Sequence, residues 1–499
     1  VLAVWAFLVC VTSLPYFRAW VYPPPGQAFL GAFYSLPDFY NYLSYVQQAE
    51  DGAFVFRNKL VPEPHAAVYV NVEWWLVGRI SAAIGRHPTL AYRLFGALAT
   101  LALVAAVDRW LLACALPSAH RFPALLLVFM GGGLGGVLFE ARGPPAWRFL
   151  DLTTGLYPFL AILVNPHFVA GTALLAWALW YLSEVPSARG VVLGILLGTL
   201  LGVVRPYDLV LLVGIRGALV VWQEPAGRWL RALVPLVGLL PAVVYNYWVF
   251  YVNGAFRTFT SSSFPPVGNV LLAVAPVLVL LLGLGIHGRR AMGAGAVFAV
   301  WTVAGLAFLL QPVNYSLQFL VDWGLPLLAL AALALARFQP RVTLIAAALF
   351  SSTGLLALRI LLGDNYWFVP AWKLRAMPVV AGACRPRDVA LVPLDLGPLV
   401  NAYTSCSAYL SHPIMPDYAR RDAEVDRFYG ETDPGWRAAL LDRACVAVVV
   451  LPGAHEARPR DWLGEATPFQ RKAVLAVGNG MIGIYERPDR GPCPPAGGP

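Results

Sequence analysis

Charge is what this sequence has least of. Lys, Arg, Asp and Glu supply only 13% of its 499 residues, against about 25% in a soluble domain. With 59% of residues hydrophobic, most of the chain must be solvated by lipid rather than water. The net charge of +9 is spread thinly. No dense basic patch interleaved with aromatics occurs, so nucleic acid is not an expected partner. Cysteine is also sparse: there are six and no CxxC pair, which argues against a zinc site. No Gly-rich phosphate loop follows a strand, so a nucleotide site of that kind is not expected. No internal repeat is visible, which removes one signature of secondary transporters.

What is present is a series of long apolar runs, each near the ~20 residues that a membrane helix needs. They predict eleven spans at about 1–17, 88–113, 121–139, 166–183, 190–204, 207–222, 231–251, 268–286, 291–311, 317–336 and 341–361. The first, "VLAVWAFLVCVTSLPYF", has no A-x-A-like cleavage site after it and reads as a membrane helix rather than a leader. The chain opens inside that run, which implies that its natural start lies upstream. Alternate short loops carry Arg109 and Arg121, Arg189, Arg228 and Arg231, Arg289 and Arg290, then Arg337 and Arg341. The opposite loops carry only Arg205, Arg257 or no base. This is the positive-inside asymmetry, and it places both the first long segment (18–87) and everything after about 362 outside the cytoplasm.

That division predicts a polytopic domain over 1–361, a linker over 362–379 and an extracytoplasmic domain over 380–499. In the last, "DVALVPL" (388–394) and "CVAVVVL" (445–451) read as buried strands. "YARRDAEVDRFYG" (418–430) and "GWRAALLDRA" (435–444) read as helices, and "AVLAVGNGMIGIYE" as a hairpin turning at Gly478-Asn479-Gly480. Cys384, Cys406, Cys445 and Cys493 fall in this domain, where an oxidising location permits one or two disulfides of unspecified pairing. Cys10 and Cys114 read as packing residues.

Polar groups gather at the outer face. In "LPDFYNYLSYVQQAEDG" (36–52), Asp38 precedes an apolar stripe at Phe39, Tyr42, Leu43, Val46 and Ala49, and stands where a helix N-cap would sit. It is read either as a catalytic carboxylate or as a cap alone. The piece 68–85, with Glu73 and Arg79, suits the membrane interface, with Trp74 and Trp75 at headgroup depth. "FRNKLVPEPH" (56–65) offers Arg57, Lys59, Glu63 and His65 as acceptor or metal contacts, or as plain surface. In "LVNPHFVAG", Asn165 is a candidate cap and Pro166 a first helical residue, which puts His167 in the first turn. In "GVVRPYDLV", Arg205 ends one span and Asp208 begins the next, either as a phosphate receptor or as an ion pair closing a hairpin. Arg257 stands in the hydroxyl-rich loop 253–269.

The acid at Asp38 in the first large external segment, "YLSYVQQAEDGAFVFRNKLVPEPH", "NPHF" and "RPYDL" together resemble the GT-C superfamily of multi-spanning glycosyltransferases, as does "SAYLSHPIMPDYARRDAEVDRFY" in the tail. The resemblance implies a helical polytopic membrane protein with a small C-terminal α/β extracytoplasmic domain. It also implies a hexosyl or pentosyl transfer from a polyprenyl-phosphate carrier to an acceptor hydroxyl, with Asp38 as base. A WWDYG-like signature is missing, which argues against oligosaccharide transfer to asparagine and for a single sugar on a lipid monophosphate. Arg205, then Arg257 or Arg57, would meet the phosphate, with His167, Asp208, Glu63 and His65 nearby. The implied partners are a lipid-linked donor, membrane lipids and an acceptor that is a glycan, a lipid or a protein. No cofactor is indicated, and a divalent cation is left open. Two rival readings stay open: a transporter or flippase for a lipid-linked or anionic substrate, and a non-catalytic subunit of an envelope complex. Polar groups clustered at one face rather than at the midplane favour the enzyme.

Overall fold

The computed structural model describes residues 1–33, 36–133, 155–185, 187–256, 273–275, 277–278, 295–309, 316–321, 323–363, 367–430, 433–453, 468–477 and 480–489, with single positions between. The chain divides into two compact units. One holds 1–21, 92–248 and 260–364; the other holds 22–91, 249–259 and 365–499.

The first unit is helical, as its apolar runs dictate. Helices span Leu2–Val21, Ser118–Met130, Pro166–Glu184, Ala188–Val204 and Pro206–Gln223, and most of Pro88–Ala113 belongs here too. Among the described residues, four helices are long and apolar enough to cross a membrane, or six if each of two bent pairs is one span. Those pairs, Ala226–Val237 with Leu240–Val252 and Pro340–Phe350 with Ser352–Gly363, bend by 54° and 41°. The first bend falls at Gly238, between Pro235 and Pro241, where missing amide donors interrupt the helical ladder. More than half of the expected span 268–286 and the end of 121–139 lie outside the described residues. The protein is a polytopic helical membrane protein with a small C-terminal sheet.

The second unit joins the first long segment to the tail. Its helix Leu36–Glu50 buries the apolar stripe read from the sequence, including Phe39, Leu43, Val46 and Ala49. A second helix, Val72–Ala83, crosses it so closely that a Cβ on Gly78 would fall 2.4 Å from Ala49 Cβ and 2.8 Å from Val46 O. Only glycine lets the two backbones approach this far. Trp74, expected at headgroup depth, is instead buried and stacked on Tyr42 with ring centroids 4.6 Å apart. Packing against the first helix claims that face, and Trp75 takes the partly exposed position, edge-on to Phe54. Ser81 donates to Glu50 at the far end of the pair, and Arg86 pairs with Asp51 at 3.0 Å.

Three short strands, β1 (Gln27–Phe29), β2 (Val55–Phe56) and β3 (Tyr69–Val70), precede the tail, and β4 (Phe368–Pro370) opens it. β1 pairs with β4 and β2 with β3, both antiparallel. The segment read as a linker carries β4 and the start of the helix Ala371–Ala383. β5 (Val389–Leu391), β6 (Ser407–Ala408), β7 (Val446–Pro452), β8 (Gln470–Val477) and β9 (Gly480–Glu486) form one sheet in the order β6-β5-β7-β9-β8. β5 runs parallel to β6 and β7, and the β8–β9 hairpin adds antiparallel strands at the other edge. Helices Tyr418–Gly430 and Pro434–Arg443 complete the module, with Phe428, Leu391, Val449 and Leu451 at its core. Leu60 from the first segment belongs to the same core. Cys384 and Cys406 form a disulfide, while Cys445 is free.

Candidate active site

Asp38 does not stand at the helix N-cap. The helix begins at Leu36, so Asp38 lies inside the first turn, where a negative charge is favoured by the helix dipole. Its carboxylate meets a histidine that comes from the tail: His412 Nε2 lies 3.2 Å from Asp38 Oδ1. The imidazole accepts the Ile414 N–H at Nδ1 over 3.1 Å, so the ring proton belongs on Nε2 and is donated to Asp38. The His412 side chain is 6% exposed and that of Asp38 is 46% exposed. The arrangement is a half-open carboxylate oriented by a buried donor. Such a group takes a proton from a bound hydroxyl without first having to be turned into place.

The segment after this helix is strapped to it by side chains. Gln48 accepts the Arg57 N–H at 2.9 Å and donates to the Arg57 carbonyl at 3.1 Å, replacing a strand partner. Lys59 is buried, and its ammonium donates to Gln47 Oε1 at 2.7 Å and to the carbonyls of Asn401 and Thr404. Burial lowers its pKa from 10.5 to about 7, with the Asp51 charge opposing the shift and the Arg57 charge adding to it. His65 donates from Nδ1 to Glu63 O at 2.8 Å and accepts the Asn58 N–H at Nε2 over 3.2 Å. Burial holds its pKa below the usual imidazole value, with Arg57 and Arg387 adding to the effect. The Glu63 carboxylate pairs with Arg421. Arg57 is half-buried; burial and the neighbouring charge of Arg387 both press its pKa down. Its Nε is buried without a hydrogen-bond partner among the described residues.

Arg205 and Asp208 belong to the first unit and form an ion pair of 2.9 Å, with side chains 2% and 4% exposed. The second guanidinium nitrogen donates to the Gln318 carbonyl at 3.0 Å and to its side chain at 3.2 Å, and the group lies over the Phe168 ring. A Cβ on Gly171 would lie 2.7 Å from Arg205 Cδ and 2.9 Å from Asp208 Oδ2, so the helix Pro166–Glu184 seals the pair. Of the two sequence readings, the geometry is that of the hairpin ion pair. Asn165 does not cap with its side chain: its Oδ1 accepts from Tyr92 Oη at 2.9 Å, and the same hydroxyl accepts the His167 N–H at 3.1 Å. Tyr92 thus performs the capping. Arg257 lies outside the described residues.

His412 is the member of this site that sequence reasoning missed. A single histidine in the loop S-H-P has no spacing signature, and its partner is 374 residues away.

No family model matches the chain, and no curated protein matches it. Solved structures do. The chain is similar to ArnT from Cupriavidus metallidurans bound to undecaprenyl phosphate, at TM-score 0.55 and 14% identity, over 98% of this chain and 99% of that one. It is similar to the same protein in the apo state at TM-score 0.56 and 13% identity, over 96% and 97%. The chain has the fold of these ArnT structures. At these identities the likeness concerns architecture, and it covers the membrane helices and the tail alike.

Proposed function

We propose that this protein is a membrane glycosyltransferase that moves one sugar, a hexose or a pentose, from a polyprenyl-phosphate carrier to an acceptor hydroxyl. We place the reaction at the outer face of the cytoplasmic membrane. The observation that carries the reading is the Asp38 carboxylate, half-open and oriented by the buried His412 Nε2–H, in a chain with the fold of the ArnT structures along its whole length. Inverting transfer needs a base to receive the acceptor proton as oxygen attacks the anomeric carbon, and Asp38 fills that role. Negative charge grows on the leaving phosphate, and a guanidinium stabilises it.

Arg57 suits that second task better than Arg205. The Arg205 guanidinium is enclosed and engaged by Asp208 and Gln318, whereas Arg57 keeps a buried Nε unpartnered among the described residues. Arginine loops on one side and the disulfide Cys384–Cys406, a bond of oxidising compartments, support an extracytoplasmic tail. The lipid monophosphate carrier takes support from the undecaprenyl phosphate bound by ArnT.

The test is transfer by the purified protein in nanodiscs, from a panel of polyprenyl-monophosphate sugars, by wild type and Asp38→Asn. Wild type should consume one donor and release polyprenyl phosphate. Asp38→Asn should lose turnover by about 10²–10⁴-fold with its melting temperature nearly unchanged. Near-full activity in Asp38→Asn would remove Asp38 as base.

A further inference from the structure

We infer that Asn401 is a positioning residue: its buried side-chain amide holds the 408–411 segment so that His412 reaches Asp38. The inference rests on the reading of Asp38 as the base and adds to it the part of the tail that sets the base's orientation.

Asn401 lies in the short helix Gly397–Tyr403 and is 2% exposed. Its Oδ1 accepts the Ala408 N–H at 2.7 Å, and its Nδ2 donates to Ser411 Oγ at 2.9 Å and to Lys59 O at 3.2 Å. One amide therefore grips both ends of the stretch from Ala408 to Ser411, the residue immediately before His412. The same amide holds the main chain of Lys59. The Lys59 ammonium answers by binding the Asn401 and Thr404 carbonyls and Gln47 Oε1. Gln47 is on the Leu36–Glu50 helix that presents Asp38.

Both halves of the Asp38–His412 contact are thus tied to one buried hub, one through Gln47 and one through Ser411. Thr404 Oγ1 accepts the Cys406 N–H at 3.1 Å, which joins the hub to the disulfide. Helix Gly397–Tyr403 packs tightly against the held segment: a Cβ on Gly397 would lie 2.0 Å from the Leu410 carbonyl oxygen. A fully bonded buried amide confers a single geometry, because any other arrangement leaves polar atoms unpaired. Helix formation or sheet packing alone does not require the bonds that Nδ2 makes, since both reach loops.

The experiment reads the Asp38 carboxyl directly. Full-length protein in nanodiscs is treated with a water-soluble carbodiimide and an amine nucleophile across a pH series, and modification of Asp38 is followed by peptide mass spectrometry. A donated hydrogen bond favours the ionised carboxylate, so His412→Ala should move the labelling midpoint upward by about half a pH unit. Asn401→Ala should move it in the same direction, and the double variant should move it no further than His412→Ala alone. His412→Gln, which keeps a donor, should return it toward wild type. A midpoint unchanged in Asn401→Ala, or a double variant shifted beyond the single, would overturn the proposal, as would an unmoved midpoint in His412→Ala. If Asn401→Ala fails to fold, Ser411→Ala carries the test, because it cuts the bond nearest His412, and an unmoved midpoint there overturns it equally. The labelling does not depend on sugar transfer, so this proposal and the assignment of Asp38 as base fail separately.

Discussion

Two aspartates in this protein stand beside a basic side chain, and their surroundings give them opposite capacities. Asp208 is sealed with Arg205: both side chains are almost fully buried, the guanidinium also donates to Gln318, and Gly171 leaves no space beside them. Asp38 is held by His412 on one oxygen and is nearly half exposed. A closed ion pair in an apolar setting resists separation and fixes a helix junction. A carboxylate with one oriented oxygen and solvent access can accept a proton from a ligand. The difference lies in what surrounds each acid rather than in the acid itself.

The largest expected effect breaks the closed pair. Arg205→Ala or Asp208→Ala alone should cost about 3–5 kcal/mol, since each leaves an unmatched buried charge. Combining them should recover much of that loss, as read by thermal unfolding in detergent. A double variant as unstable as the sum of the singles would show that the two residues act independently.

The comparison also shows what the sequence could reveal. Apolar runs gave the membrane helices because lipid solvation is a local property of about 20 residues. The buried strands and helices of the tail were legible for the same reason: periodicity is local. The helix behind Asp38 was legible from its stripe, though its start lies three residues earlier than a cap at Asp38 requires. What could not be read were contacts across the chain. His412 meets Asp38 over 374 residues, Tyr92 takes over the cap that Asn165 was expected to supply, and Trp74 turns inward onto Tyr42. Each depends on which element packs against which, and no spacing in one segment encodes that. The Arg205–Asp208 pair was legible as an alternative because its partners are three residues apart.

The next effect falls on the unit that carries Asp38. Replacing both Cys384 and Cys406 by Ser should cost about 2–4 kcal/mol in the stability of the tail, measured by limited proteolysis with and without reductant. Protease resistance indifferent to reductant would mean that the disulfide is not formed in the isolated protein.

A smaller effect concerns the phosphate. Arg57→Ala should raise the donor KM about tenfold, the loss of one partly exposed charge-assisted contact. Arg57→Lys should recover only part of it, because a point charge does not reproduce the planar fork. An unchanged KM in both would remove Arg57 from the site.

A further effect is a slope with pH rather than a single loss. The Lys59 pKa of about 7 lies below the 10.5 of an unfolded chain, so between these values the unfolded state binds more protons and stability rises with pH. The destabilisation is full below pH 7 and gone above 10.5. Thermal unfolding of wild type should therefore show a rise across this window that Lys59→Met lacks. Parallel profiles would show that Lys59 is not buried as an ammonium.

The contrast between the two aspartates is tested most directly by measuring turnover per folded molecule alongside melting temperature in Asp38→Asn and Asp208→Asn. Asp38→Asn should keep the wild-type melting temperature and lose turnover by about 10²–10⁴-fold. Asp208→Asn should melt earlier while its folded fraction keeps turning over. Full turnover in folded Asp38→Asn, or loss of turnover in folded Asp208→Asn, would contradict the assignment.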